Sequence, residues 1–151
     1  VVNYFGLQRF GTGGTSNAVV GEAVLCAATG GGDWAAVGDL LLAASPRDDG
    51  AVAEAKRLYA AGDVVGAARA MPYGRRTEKN YLDALAKRGA RDHLGAFKAL
   101  PKNLQLMYAH AHQSRVFNAA AAARVAAHGF RAVAGDLVLA AGAGAGAGET
   151  Q

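Results

Sequence analysis

At 151 residues the chain has room for one core, and although 52% of it is hydrophobic, much of that fraction is alanine, which buries little area per side chain. The net charge of +4 favours polyanionic over basic partners, and the single cysteine, Cys26, excludes an internal disulfide or a cysteine-based metal cluster, which suits a reducing, intracellular compartment. No uninterrupted apolar run reaches membrane-spanning length, the richest stretch (116–127) being broken by Asn118 and Arg124.

The aromatic, alternating residues 3–10 predict a short extended segment, followed by a glycine-rich loop in which Ser16 or Asn17 caps the next helix. Val19, Val20, Ala23, Val24 and Ala27 recur at helical spacing until Gly30-Gly31-Gly32 stops the run. Asp33 caps a second helix with Trp34, Val37, Leu40, Leu41 and Ala44 on its apolar face, and 45–50 is a turn cluster. Shorter helices follow over 51–61, with Ala55, Leu58 and Tyr59 inward, and over 64–71 behind Asp63. The next covers 78–88 behind Thr77, with Tyr81, Leu82 and Leu85 inward, and a brief one behind Asp92 closes at Pro101. Residues 101–129 form the longest helical candidate, from Asn103 to His128. A second extended piece is expected at 133–139, and the alternating Ala and Gly of 140–151 read as a flexible tail. The fold class read from periodicity is mostly α, with extended structure limited to 3–10 and 133–139.

Charge is concentrated between Arg75 and Lys102, where eight basic residues face three acidic ones. Such a stripe suits a phosphate backbone, and Arg75, Arg76 and Lys79 are its candidate RNA-binding residues; a solvated helix face explains the same composition. Other constellations carry less. His110 and His112 stand two apart on a helix and point about 200° apart, so one metal ion cannot use both. The loop from Gly11 to Gly14 lacks the Lys-Ser/Thr of a phosphate-binding loop and reads as a tight turn. His110 and Ser114 share a face but have no third orienting group, which favours a hydrogen-bonded helix surface over a nucleophile–base pair.

Three strings are specific. Asn3-Tyr4-Phe5-Gly6-Leu7-Gln8-Arg9-Phe10-Gly11 opens the chain, Met107-Tyr108-Ala109-His110-Ala111-His112-Gln113-Ser114-Arg115-Val116-Phe117-Asn118 lies in the long helix, and Gly135-Asp136-Leu137-Val138-Leu139 follows it. Together and in this order they resemble the motifs of the TruD family of pseudouridine synthases, most closely its eukaryotic branch. Gly11, Gly13, Gly14 and Gly21 also fall where that family places glycine. The resemblance covers 1–139 and is looser over 34–100, which is similar to the helical extension of eukaryotic members.

The resemblance implies that these residues belong to a larger α+β pseudouridine-synthase fold, of which they form a mostly helical segment. It implies an RNA substrate (tRNA or mRNA), no cofactor, no metal, no membrane partner, a monomeric full-length enzyme, and a nuclear or cytoplasmic location. The family reaction isomerises uridine to pseudouridine, using an aspartate in a Lys-Asp motif upstream of the first string. No Lys-Asp dipeptide occurs in this sequence. No catalytic residue is therefore assigned, and the chain, which opens on Val1 inside an active-site motif, is expected to be an inactive fragment. By resemblance Asn3 lies beside the missing aspartate, Phe5 walls the uridine site, Phe10 is core, and Gln8 and Arg9 support the motif or touch RNA. A non-catalytic RNA-binding or scaffold protein derived from such an enzyme is the alternative.

Overall fold

A computed structural model describes residues 4–11 and 14–137. After a 3₁₀ turn at Leu7–Arg9 come seven helices: α1 (Asn17–Ala28), α2 (Trp34–Leu41), α3 (Gly50–Ala60), α4 (Val64–Ala70), α5 (Arg76–Arg88), α6 (His93–Lys98) and α7 (Lys102–His128). Five of them start on a side-chain cap. Ser16 Oγ accepts the N–H of Ala18, and Asp33, Asp49, Asp63 and Asp92 accept those of Ala35, Val52, Gly66 and Gly95. Each cap satisfies a first-turn donor that the helix leaves unpaired. Gly62, at φ 86°, and Gly129, at φ 61°, take the left-handed backbone that ends α3 and α7.

The core lies where α2–α6, the predicted 34–100 extension, fold back on α1 and the first half of α7. Tyr81, Leu82 and Leu85 of α5 are fully buried against Val37, Val52 and Phe97, as the sequence predicts for α5. Trp34, Phe97 and Tyr108 form an aromatic chain, with ring centroids 5.5 and 6.4 Å apart, that couples α2 and α6 to α7. Helices α1 and α7 pack most extensively. A Cβ at Gly21 would stand 2.0 Å from the Tyr108 carbonyl oxygen, so glycine is what allows the two backbones to touch. Arg115 of α7 then pairs with Glu22 of α1.

Several expectations are corrected. Helix α5 starts at Arg76, with Arg75 rather than Thr77 at its cap position. The inward face of α3 holds the expected Ala55, with Leu58 and Tyr59 half-buried against the core, and adds Val52 and Lys56. Lys56 can be buried because its ammonium reaches the Ala43 carbonyl at 2.7 Å and the Asp48 carboxylate at 2.8 Å. Phe10 is half-buried and outside the core cluster.

No strand forms among the described residues. Within the expected extended piece near 3–10, Gly6 keeps extended backbone, but Leu7–Arg9 form the 3₁₀ turn, closed by Phe10 N–H donating to the Leu7 carbonyl at 2.9 Å. The described part of the 133–139 piece is a turn, with Asp136 N–H bonded to the Val133 carbonyl at 3.0 Å and Gly135 at φ 100°. In the described parts of both segments, several backbone groups bond to local or side-chain partners instead of a neighbouring strand. Asn3, Gly13, Val138, Leu139 and the Ala/Gly tail lie outside the described residues.

Candidate functional site

All three sequence motifs meet on α7, which carries the second of them. Asn118 points from α7 at the first motif and grips it in both directions. Its Oδ1 accepts the Phe5 N–H at 2.9 Å, and its Nδ2 donates to the Phe5 carbonyl at 3.0 Å. This two-point clamp mimics a strand partner for one residue and fixes where the Phe5 ring emerges. Asparagine is a poor interior helix residue, because its amide competes for backbone groups, so its place in α7 fits a side-chain task.

Phe5 is 38% exposed. Phe117 meets it edge-on with centroids 5.4 Å apart and planes at 74°, and the Arg9 guanidinium carbon lies 4.7 Å from its centroid. An edge contact and a cation hold the ring without burying it. Its uncovered surface remains available for an unsaturated ring of a ligand.

The other end of the first motif is tied to the start of α1. The Phe10 carbonyl accepts from the Ser16 hydroxyl at 3.2 Å and from the Asn17 N–H at 3.0 Å. The Arg9 carbonyl accepts from Asn17 Nδ2 at 3.3 Å. Gln8 is exposed.

The third motif is fastened to α7 by charge. Arg124 Nε donates to Asp136 Oδ1 at 3.0 Å, and Nη2 pairs with Oδ2 of the same carboxylate and reaches the Arg131 carbonyl at 2.7 Å. Asp136 also accepts the Val133 N–H at 2.9 Å. The Arg124 bonds, followed by the Val133 N–H, hold the Asp136 carboxyl down at about 2. An acid so committed is a structural tether.

The other seven aspartates also have hydrogen-bond or ion-pair partners. Asp33, Asp49, Asp63 and Asp92 are helix caps. Asp39 accepts from the Tyr59 hydroxyl at 3.0 Å, Asp83 pairs with Lys79 at 2.9 Å, and Asp48 pairs with Lys56. Burial pushes the Asp48 carboxyl up, but the Lys56 ammonium, the Ser45 N–H and the Arg75 charge together hold it below its usual range.

His110 is exposed, and Ser114 is buried with its hydroxyl donating to the His110 backbone carbonyl at 2.7 Å. That pair is a bonded helix face, as the sequence reading favoured. No metal-holding cluster of His, Cys, Asp or Glu occurs among the described residues. No helix among them is long and apolar enough to cross a membrane.

The candidate RNA-binding trio does not form one free patch. Arg76 is exposed at the first residue of α5. Arg75 sits 3.9 Å from Asp48 and borders a cavity of about 360 Å³ that Asn17, Lys56, Thr77, Glu78 and Tyr108 also line. Lys79 donates to the Ala68 carbonyl at 2.7 Å and to Asp83, and its side chain is only 13% exposed.

The family model for tRNA pseudouridine synthase D (TruD) matches residues 1–150. This chain belongs to the TruD family. It is 37% identical over 139 residues to multisubstrate pseudouridine synthase 7 of Schizosaccharomyces pombe, an alignment covering 91% of the chain and 20% of that protein. It is 36% identical over 142 residues to the human pseudouridylate synthase 7 homolog, with the same coverage. A bacterial TruD relative, the tRNA pseudouridine synthase D of Geobacter metallireducens, is 36% identical over 126 residues, covering 83% of the chain and 30% of that enzyme. The chain thus spans about a fifth of the length of its eukaryotic TruD relatives.

The TruD strings contain Asn118 and Phe117 without marking a role for either, and Arg124 lies outside them. The interior asparagine of α7 was the available signal for Asn118. Nothing local marked Arg124, because its partner lies across a helix end.

Proposed function

We propose that these residues are part of an RNA pseudouridine synthase and contribute one wall of its uridine site. The reaction breaks the bond between the ribose and N1 of uracil, turns the base, and rejoins it through C5, with the base taken out of its stack. Phe5 is the aromatic wall against which the extruded base rests, held in place by Asn118, Phe117 and Arg9. Asn3 orients the nucleophilic aspartate, and Gln8 and Arg9 support the motif, Arg9 with its charge near RNA. The observation that carries the reading is the Asn118 clamp, which joins two family motifs distant in sequence at an aromatic ring left partly open.

In this proposal the nucleophile is not among these 151 residues. Each of the eight aspartates caps a helix or is tied to a neighbouring side chain, which supports this reading. The substrate is RNA of the tRNA or mRNA kind, and the complete enzyme is a monomer acting in the nucleus or cytoplasm, with no cofactor or metal. It belongs to an α+β fold of which the described helices are one part. Arg75 and Arg76 meet phosphates of the substrate, a role that the basic excess from Arg75 to Lys102 supports.

The test is pseudouridine formation on a uridine-containing transcript. The 151-residue chain alone is expected to give none, whereas a polypeptide carrying these residues together with a Lys-Asp segment gives turnover without added metal. In that polypeptide Phe5→Ala lowers kcat by about a hundredfold, because the base loses its wall and its alignment. Turnover by the shorter chain would show that the nucleophile is misassigned. Absence of turnover in the longer one would overturn the function.

A further inference from the structure

The turn between α4 and α5 lies outside the three motifs and holds one of the most exposed aromatic side chains described. Met71 is buried at its start, and the Arg75 N–H bonds back to the Pro72 carbonyl at 3.0 Å, so Tyr73 and Gly74 occupy the tip of a closed turn. Tyr73 is 84% exposed. A single exposed aromatic is ordinary on its own. What sets Tyr73 apart is the Lys79 ammonium 5.3 Å from its ring centroid. That ammonium is immobilised by the Ala68 carbonyl at 2.7 Å and Asp83 at 2.9 Å. One face of the ring therefore rests on a fixed cation, while the bulk of its surface stays in solvent. Arg75 and Arg76 follow directly, and Arg76 is exposed.

A pre-oriented aromatic face with an exposed arginine three residues further along the chain suits single-stranded nucleic acid. The ring stacks a base whatever its identity, and the cation meets the adjoining phosphate. We propose that Tyr73 is a stacking platform for an unpaired base of the RNA substrate, with Arg76 on the neighbouring phosphate. Lys79 acts from beneath as a positioning residue and does not touch RNA. This inference rests on the RNA reading above and adds to it a binding residue outside the three family motifs.

The experiment is equilibrium binding of a single-stranded, uridine-rich RNA oligonucleotide bearing 2-aminopurine at one unpaired position, measured across a salt series. Tyr73→Ala should weaken binding about tenfold with an unchanged salt slope, because stacking is not electrostatic. Tyr73→Phe should bind like the parent, and 2-aminopurine fluorescence should be quenched by the parent and Tyr73→Phe but not by Tyr73→Ala. Arg76→Gln should lower the salt slope by about one while leaving the quenching in place. Tyr73 lies outside the core, so equal thermal melting of the variants checks that they are folded. If the parent binds RNA and Tyr73→Ala binds equally well, the platform is wrong while the RNA reading stands. If Tyr73→Phe fails as Tyr73→Ala does, the hydroxyl rather than the ring is responsible and stacking is overturned. If the parent binds no RNA, the RNA reading itself falls, and this inference with it.

Discussion

Helices α1–α6 with the first half of α7 are held together in a different way from the second half of α7 and the motif segments attached to it. The first region is a core, with Tyr81, Leu82, Leu85, Val37 and Val52 fully buried. The second leaves Val116, Phe117, Phe130 and Leu137 exposed and is fastened by a few polar clamps, Asn118 to Phe5 and Arg124 to Asp136. Burial is non-directional and tolerates approximate placement. Clamps specify where one backbone atom sits. The difference separates the part of the chain that supplies stability from the part that sets the geometry of Phe5.

The core should respond most to truncation. Leu82→Ala removes a fully buried side chain and is expected to cost about 3 kcal/mol, with a matching fall in the urea midpoint. Asp48→Ala comes next, since it strands the Lys56 ammonium, whose side chain is 8% exposed. Its cost should be about 3 kcal/mol or slightly less, because the adjoining cavity admits solvent. Replacing Lys56 by Met in the same protein should recover most of it. A melt unmoved by either Leu82→Ala or Asp48→Ala would mean that this region is not the stabilising core.

Asn118→Ala tests the opposite property. The clamp lies at the surface, and its loss should change the global melt by no more than about 1 kcal/mol. Amide exchange at Phe5, whose N–H it holds, should quicken about fivefold. Unchanged exchange at Phe5 would mean that Asn118 does not set its position.

This division also explains what the sequence made legible. Helix order and most caps follow from local rules. Asp33, Asp63 and Asp92 read as caps because a short carboxylate before an apolar run has few other uses. The inward face of α5 was equally plain from its spacing. The burial of Lys56 was not, because its partners, Ala43 and Asp48, belong to a preceding turn that periodicity does not describe. The aromatic alternation of 3–10 suggested a strand, yet whether such a segment pairs depends on a partner elsewhere. Here Asn118, more than a hundred residues away, takes the Phe5 backbone groups instead. In the candidate site, Phe5 was found through its motif, whereas the contacts that hold it are tertiary and could not be read from spacing.

The smallest expected effect concerns the second clamp and acid. Asp136 titrates at about 2 in the folded chain against an ordinary value of 3.8. A carboxyl whose folded value is depressed contributes stability above its unfolded value and loses it as the pH falls through the folded one. The Arg124 tether should therefore be intact above about pH 4 and released progressively toward pH 2. The side chains of Arg124 and Asp136 are about a third exposed, at 31% and 29%, so solvent screens the pair. The readout must accordingly be local: the exchange rate of the Val133 amide, which Asp136 accepts at 2.9 Å. Acid should accelerate that exchange across the window, beyond its intrinsic pH dependence, before the protection of Leu82 changes. Asp136→Asn keeps an acceptor for the amide but removes the charge, so its extra acid dependence in the window should vanish. An unaltered acid profile in Asp136→Asn would show that another group holds this segment to α7.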